Sequence, residues 1–154
     1  MGSFQDVRNY ITNRLVTNWT TTDIAQDNHE YTPDARTAFI NLIIDDTDSW
    51  QITYNGNGSA THRYTGFIII FVNVPLHSGT NTARGYADSI ADIFRGAQFS
   101  AMDILCRTPK IIRVGEVNGM FQYNVLTPFQ VDVTKYNTLV SNVVTEELDY
   151  LVTE

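Results

Sequence analysis

Three histidines, one cysteine, an acidic run and two glycine-bearing stretches are the parts of this chain whose residue types could do chemistry. His29, His62 and His77 stand apart, with no H-x-x-x-H or H-E-x-x-H spacing, so no two imidazoles sit one helical turn apart to hold zinc. Cys106 would be a nucleophile only beside a base that takes its proton. No family signature surrounds it, and a lone cysteine in an extended apolar segment reads as a small core residue. Asp45, Asp46, Thr47 and Asp48 have only a superficial likeness to a cation loop, which needs alternating acids, a glycine and a distant glutamate; they read as a charged turn. Gly56 and Gly58 lack the third glycine of a dinucleotide fingerprint and lead into a strand. Residues 76–82 include Gly79 and precede a helix, whose N-terminus could hold an anion, but they lack the Gly-Lys-Ser/Thr of a phosphate loop. Neither paired carboxylates nor a triad can be assembled. The residues therefore point to no catalytic, cofactor-binding or metal-binding position, and to a structural or interaction module instead of an enzyme.

Composition narrows the partners. The chain has 154 residues, 43% of them hydrophobic, and a formal net charge of −7. That length supports one domain with a real core, and that charge disfavours a protein that grips phosphate backbones. The charge is uneven. Residues 23–48 hold Asp23, Asp27, Glu30, Asp34, Asp45, Asp46 and Asp48 against Arg36 alone. Residues 84–113 hold Arg84, Arg95, Arg107, Lys110 and Arg113 against Asp88, Asp92 and Asp103. Two readings stand: ordinary solvated surface, or head-to-tail pairing between copies. The single cysteine rules out an internal disulfide and suits a reducing cytoplasm. No apolar run reaches membrane-spanning length, so no membrane partner is expected.

The elements that must position these residues make an α+β fold. Phe4, Val7, Ile11 and Leu15 mark one face of an N-terminal helix ending near Asn18. A surface connection over 19–36 follows, with a short strand at Ile24 and Ala25. Residues 37–44 read as a strand, 45–48 as a turn, and 50–54 as a second strand in which Trp50, Ile52 and Tyr54 alternate with Gln51 and Thr53. Residues 55–59 form a hairpin tip. A third strand from Thr61 to Val74 completes an antiparallel three-stranded meander. Its core is apolar on both faces, with Phe67, Ile69 and Phe71 on one and Ile68, Ile70 and Val72 on the other, so its second face needs cover or another chain. A second helix from Ala83 to about Ala97 packs on the sheet through Ala83, Tyr86, Ala87, Ile90 and Phe94. A C-terminal β-hairpin joins 110–117 to 120–133 through Asn118 and Gly119, a type I′ turn pair, and Pro128 marks a bulge or an edge. The organisation expected is one domain over 1–133 and a C-terminal extension or arm over 134–154.

The stretch from Phe71 to Phe99 resembles the central signature of the tail terminator-like proteins of tailed bacteriophages. In that family an apolar strand ends in Val-Pro, a Gly/Thr/Asn loop follows, and then a helix. The matching positions here are Val74, Pro75, Gly79, Ala87, Asp88, Ile90, Ala91, Phe94 and Arg95. Arg107, Thr108 and Pro109, then residues 115–129, resemble the family's final hairpin, so the likeness covers roughly residues 3–133. The resemblance implies a virion protein of the tail neck, assembled in the bacterial cytoplasm. It would form a ring, usually a hexamer, that caps the tail tube, ends its polymerisation and offers a docking surface to the head connector. DNA would pass through the lumen without specific binding. On this reading the loops that meet other proteins hold Asn55, Gly56, Asn57 and Gly58, and His77, Ser78, Gly79 and Thr80. The subunit interface would use Phe67, Ile69, Phe71, Arg107, Lys110 and Arg113. The alternatives are a head–tail connector or neck completion protein, a tail tube subunit, and, more remotely, a small-ligand-binding or enzymatic α+β domain that uses the 76–82 loop and His77.

Overall fold

In the computed structural model, which describes residues 4–34 and 36–136, the apolar spacings fold as amphipathic elements around one sheet. Helix α1 (Phe4–Asn18) buries Val7, Ile11 and Leu15, one turn apart, while Phe4 remains 65% exposed. Helix α2 (Asn81–Phe94) buries Ala83, Ala87, Ile90, Ala91 and Phe94, with Tyr86 and Ile93 packed at the margin. It stops before Ala97 because Gly96 takes φ 61°, while the Arg95 N–H closes the last turn on the Ala91 carbonyl. The helices are tied by Arg14, whose Nε donates to the Ile93 carbonyl at 2.8 Å and whose guanidinium lies 4.7 Å from the Phe99 ring centre.

The strands are β1 (Asp23–Gln26), β2 (Phe39–Tyr54), β3 (Ser59–Pro75), β4 (Gln98–Phe99), β5 (Ile104–Cys106), β6 (Lys110–Val117) and β7 (Met120–Tyr136). They join in one sheet of order β1-β2-β3-β7-β5-β4, with β6 also bonded to β7. β1 runs parallel to β2; the other pairs are antiparallel. Register puts Ile40, Leu42, Ile68, Ile70, Val72, Tyr123 and Val125 on one face, where both helices cover them in a single core. Burying an isoleucine such as Ile68 or Ile70 completely contributes about 1.5–3 kcal/mol.

The expected three-stranded meander is not what forms. Asp45, Asp46, Thr47 and Asp48 do not turn the chain; β2 runs straight through them, with a register shift between Asp46 and Asp48. The Thr47 hydroxyl holds the extra residue by donating to the Thr65 carbonyl at 3.2 Å. Acids suit turns because they are solvated, and an exposed strand margin solvates them equally well. β2 and β3 are therefore one long hairpin, and the third strand against β3 is β7, from the far end of the chain. The expected C-terminal hairpin forms in part: Asn118 at φ 50° and Gly119 at φ 79° turn residues 110–117 back onto 120–126 alone. Yet β7 is interior, flanked by β3 on one side and by β5 and β6 on the other, and it continues past residue 133 to Tyr136. The extension expected from 137 onward lies outside the described residues.

Pro128 occupies an interior strand without a bulge. Its carbonyl accepts from the Arg107 N–H at 2.9 Å, on the side away from β3. The nitrogen of a strand residue points the same way as its carbonyl, so the missing N–H faces the break between β5 and β6 and costs the β3 ladder nothing.

Gly66 marks the tightest crossing. A Cβ there would lie 2.5 Å from the Asp45 carbonyl oxygen and 2.8 Å from the Phe129 ring. The absent side chain lets Phe129 lie over β3 beside the β2 bulge. Gly66→Ala is therefore expected to destabilise the fold by about 1–3 kcal/mol, measurable as a lower urea midpoint with an unchanged slope.

Candidate functional site

The two loops expected to meet other proteins lie at opposite ends of β3. The tip before Ser59 is held by its own side chains: Asn55 Nδ2 donates to Ser59 Oγ at 3.0 Å, and Ser59 Oγ donates to Asn57 Oδ1 at 2.6 Å. Gly56 and Gly58 take φ 78° and 81° to close it. The loop after Pro75 turns through His77 at φ 64° and Gly79 at φ 79°, pinned by the Ser78 hydroxyl donating to the Pro75 carbonyl at 2.6 Å. Thr80 caps α2 without a side-chain hydrogen bond. Between the two loops run the 17 residues of β3, a span of roughly 50 Å at strand rise.

The six expected interface residues divide between two places. Phe67, Ile69 and Phe71 lie half-buried on the face of β3 that the helices do not cover. Ile43 of β2 and Leu126 of β7 flank Ile69 in the same row, and Pro128 lies beside Phe67. Arg107, Lys110 and Arg113 lie at the margin beyond β7. Arg107 donates to Gln130 Oε1 at 3.1 Å, and the Arg113 guanidinium lies 5.1 Å from the centre of the Phe121 ring. The opposite margin holds Asp45, Asp46 and Asp48, all exposed. Partial burial, with the charge of Asp45 adding, pushes the Asp46 carboxyl above its ordinary range.

The other candidates for chemistry are scattered. His29 lines an open pocket of about 350 Å³ with Tyr31, Phe39, Asn41, Asn73 and Gln122. Its buried polar groups satisfy each other, Gln122 Nε2 donating to Asn73 Oδ1 at 2.9 Å. Burial, and then the neighbouring Asp23, push the Tyr31 phenol upward, so it stays protonated. This lining can hydrogen-bond a polar molecule, and His29 and Asp27 are the titratable groups it adds to Tyr31. His62 sits within β3 opposite Gln51 and Val133. Cys106 is 1% exposed, and burial pushes its thiol up to about 12 against the opposing charge of Arg14. Among the described residues, no three His, Cys, Asp or Glu side chains group as a metal site, and no helix is long and apolar enough to cross a membrane.

Sequence reasoning missed one pairing on the helix-free face. Arg63 grips Asp132 with two hydrogen bonds, from Nε at 2.8 Å and from an Nη at 3.0 Å. The partners lie 69 residues apart, and only the β3–β7 register brings them together.

No protein-family model matches the chain, and no curated protein sequence matches it. Solved structures do match. One, whose description carries no function, has a TM-score of 0.64 at 17% identity, over 84% of this chain and 96% of the other. A second is described as the virion of a native gene transfer agent particle, with a TM-score of 0.49 at 18% identity, over 82% of this chain and 95% of that one. At such identity the first likeness shows a shared fold.

Two outcomes follow from the local chemistry. Native protein at neutral pH should leave Cys106 unmodified by a thiol reagent over hours and react fully once unfolded in denaturant; prompt native labelling would contradict its burial. Asp132 is held below the ordinary carboxylate range, first by the hydrogen bonds from Arg63, with burial opposing. Its stabilisation is therefore present above the unfolded value of about 3.9 and lost as pH falls through the lower folded value. Asp132→Asn should lower the melting temperature at neutral pH and give a shallower fall on the acid side, read from melting curves between neutral and strongly acidic buffer.

Proposed function

We propose that this chain is a non-catalytic structural subunit of a phage-type virion. In this reading it forms a ring, a hexamer by the family resemblance, that caps the tail tube, ends its growth and receives the head connector. The observation that carries the reading is the placement of the two contact loops at opposite ends of β3. A cap joins two different bodies along one axis, and needs one contact surface at each end of the subunit. Residues 55–58 serve one end and residues 77–80 the other. The resemblance supports the same role, because its signature from Phe71 to Phe99 falls on one structural unit: the end of β3, the turn and α2.

The helix-free face agrees with a life in an assembly. Phe67, Ile69 and Phe71 are only half-covered within one chain, and apolar sheet surface gains by burial against another subunit. The net charge of −7 suits a lumen through which DNA slides without being held, since carboxylates repel phosphate.

The test is capping. Purified protein added to tubes of the cognate tail tube protein should bind at one end and halt elongation, seen by negative-stain imaging and tube-length distributions. Replacing 55–58 and 77–80 together with Gly-Ser linkers should abolish capping while the melting transition stays cooperative. Normal tube length and normal head joining with both loops replaced would overturn the assignment. Growth of the protein itself into long tubes would make it a tube subunit.

A further inference from the structure

The sheet leaves two long margins open, and their charges are opposite. Residues 45–54 of β2 hydrogen-bond to β3 on one side and, among the described residues, to no strand on the other. Among the described residues, β6 bonds only to β7. Unpaired backbone N–H and C=O groups invite another strand, and monomeric proteins blunt such margins with charge, proline or cover. Here both margins also carry exposed apolar side chains: Trp50 and Ile52 are 44% and 37% exposed, and Ile112 and Val114 are 37% and 42% exposed. The β2 margin is acidic through Asp45, Asp46 and Asp48, and the β6 margin is net basic through Lys110 and Arg113, with Arg107 just before the strand and Glu116 as the acid within it. From α2, Asp88 lies near Arg113 with Arg84 beside it.

One subunit cannot bring these margins together. β3 and β7 stand between them, about 14 Å of sheet, beyond a Debye length of about 8 Å at physiological salt. Pairing like margins of two copies would set acid on acid or base on base. Pairing unlike margins is a heterologous contact, which builds rings when its rotation closes.

We infer that the β2 margin of one copy lies along the β6 margin of the next, with Asp45, Asp46 and Asp48 facing Arg107, Lys110 and Arg113, so that the sheet continues from subunit to subunit. This rests on the ring reading above and names the contact that closes it.

The experiment is charge reversal with complementation, read as mass by light scattering. One variant carries Asp45→Lys, Asp46→Lys and Asp48→Lys; the other carries Arg107→Glu, Lys110→Glu and Arg113→Glu. Each alone should fall to the mass of one chain, 17.4 kDa, and an equimolar mixture should regain the wild-type oligomer. Recovery on mixing also shows that both variants fold. The milder pair Asp46→Lys and Lys110→Glu should weaken the assembly separately and restore it together. Wild-type mass retained by both triple variants would overturn the margin contact and leave the ring reading intact. Single-chain mass for the wild type at every concentration, and for the mixture, would overturn the margin contact, while tube capping would judge the ring reading separately.

Discussion

The pairing of β3 with β7 carries the rest of the molecule. The two strands hydrogen-bond in register from Ser59 opposite Tyr136 to Pro75 opposite Met120, without a shift. That ladder sets which residues of each strand face the helices. A slip of one residue would send Ile68, Ile70 and Val72 to the open face and bring Phe67, Ile69 and Phe71 under α1 and α2. The Arg63–Asp132 pair, the hydrogen bond from the Gln122 amide to the Asn73 amide and the seat of Phe129 over Gly66 each exist because these partners meet in this register. The absence of a side chain at Gly66 is in turn what allows β2, β3 and β7 to crowd at one crossing.

With both helices committed to one face, the second face and the margins of the sheet have no cover of their own among the described elements. The apolar side chains there are small in total but concentrated: the middle row around Ile69, and the open margins at Trp50, Ile52, Ile112 and Val114. A chain folded this way has four kinds of surface. The ends of β3 present loops, the margins present strand edges of opposite sign, one broad face is shielded by helices, and the other is open.

The structure separates candidate chemistry from packing. Cys106 is held as a thiol by burial, and the amides near His29 are spent on each other. The acids of 45–48 spread along a strand margin instead of converging on a point. The pH response of Asp132 is local, because its partner Arg63 lies on an exposed part of the sheet where water screens the pair.

The sequence by itself determined the local elements. Turn-spaced Val7, Ile11 and Leu15, and Ala83, Ala87, Ile90 and Phe94, specify two amphipathic helices because a helix repeats every 3.6 residues. Alternation from Phe67 to Val72 specifies a strand with two apolar faces, and Asn118 with Gly119 specifies a tight turn because both positions need positive φ. Only the tertiary structure decided that the acids at 45–48 sit in a bulge within one strand. Local propensity cannot tell a solvated turn from a solvated margin; the ladder to β3 makes that choice. It also decided that β3 takes β7 as its second neighbour, that Pro128 is harmless in an interior strand, and that acidic and basic segments end on opposite margins. Each of these depends on contacts between residues far apart in the chain, whose pairing is set by burying one continuous core and not by any short run of residues.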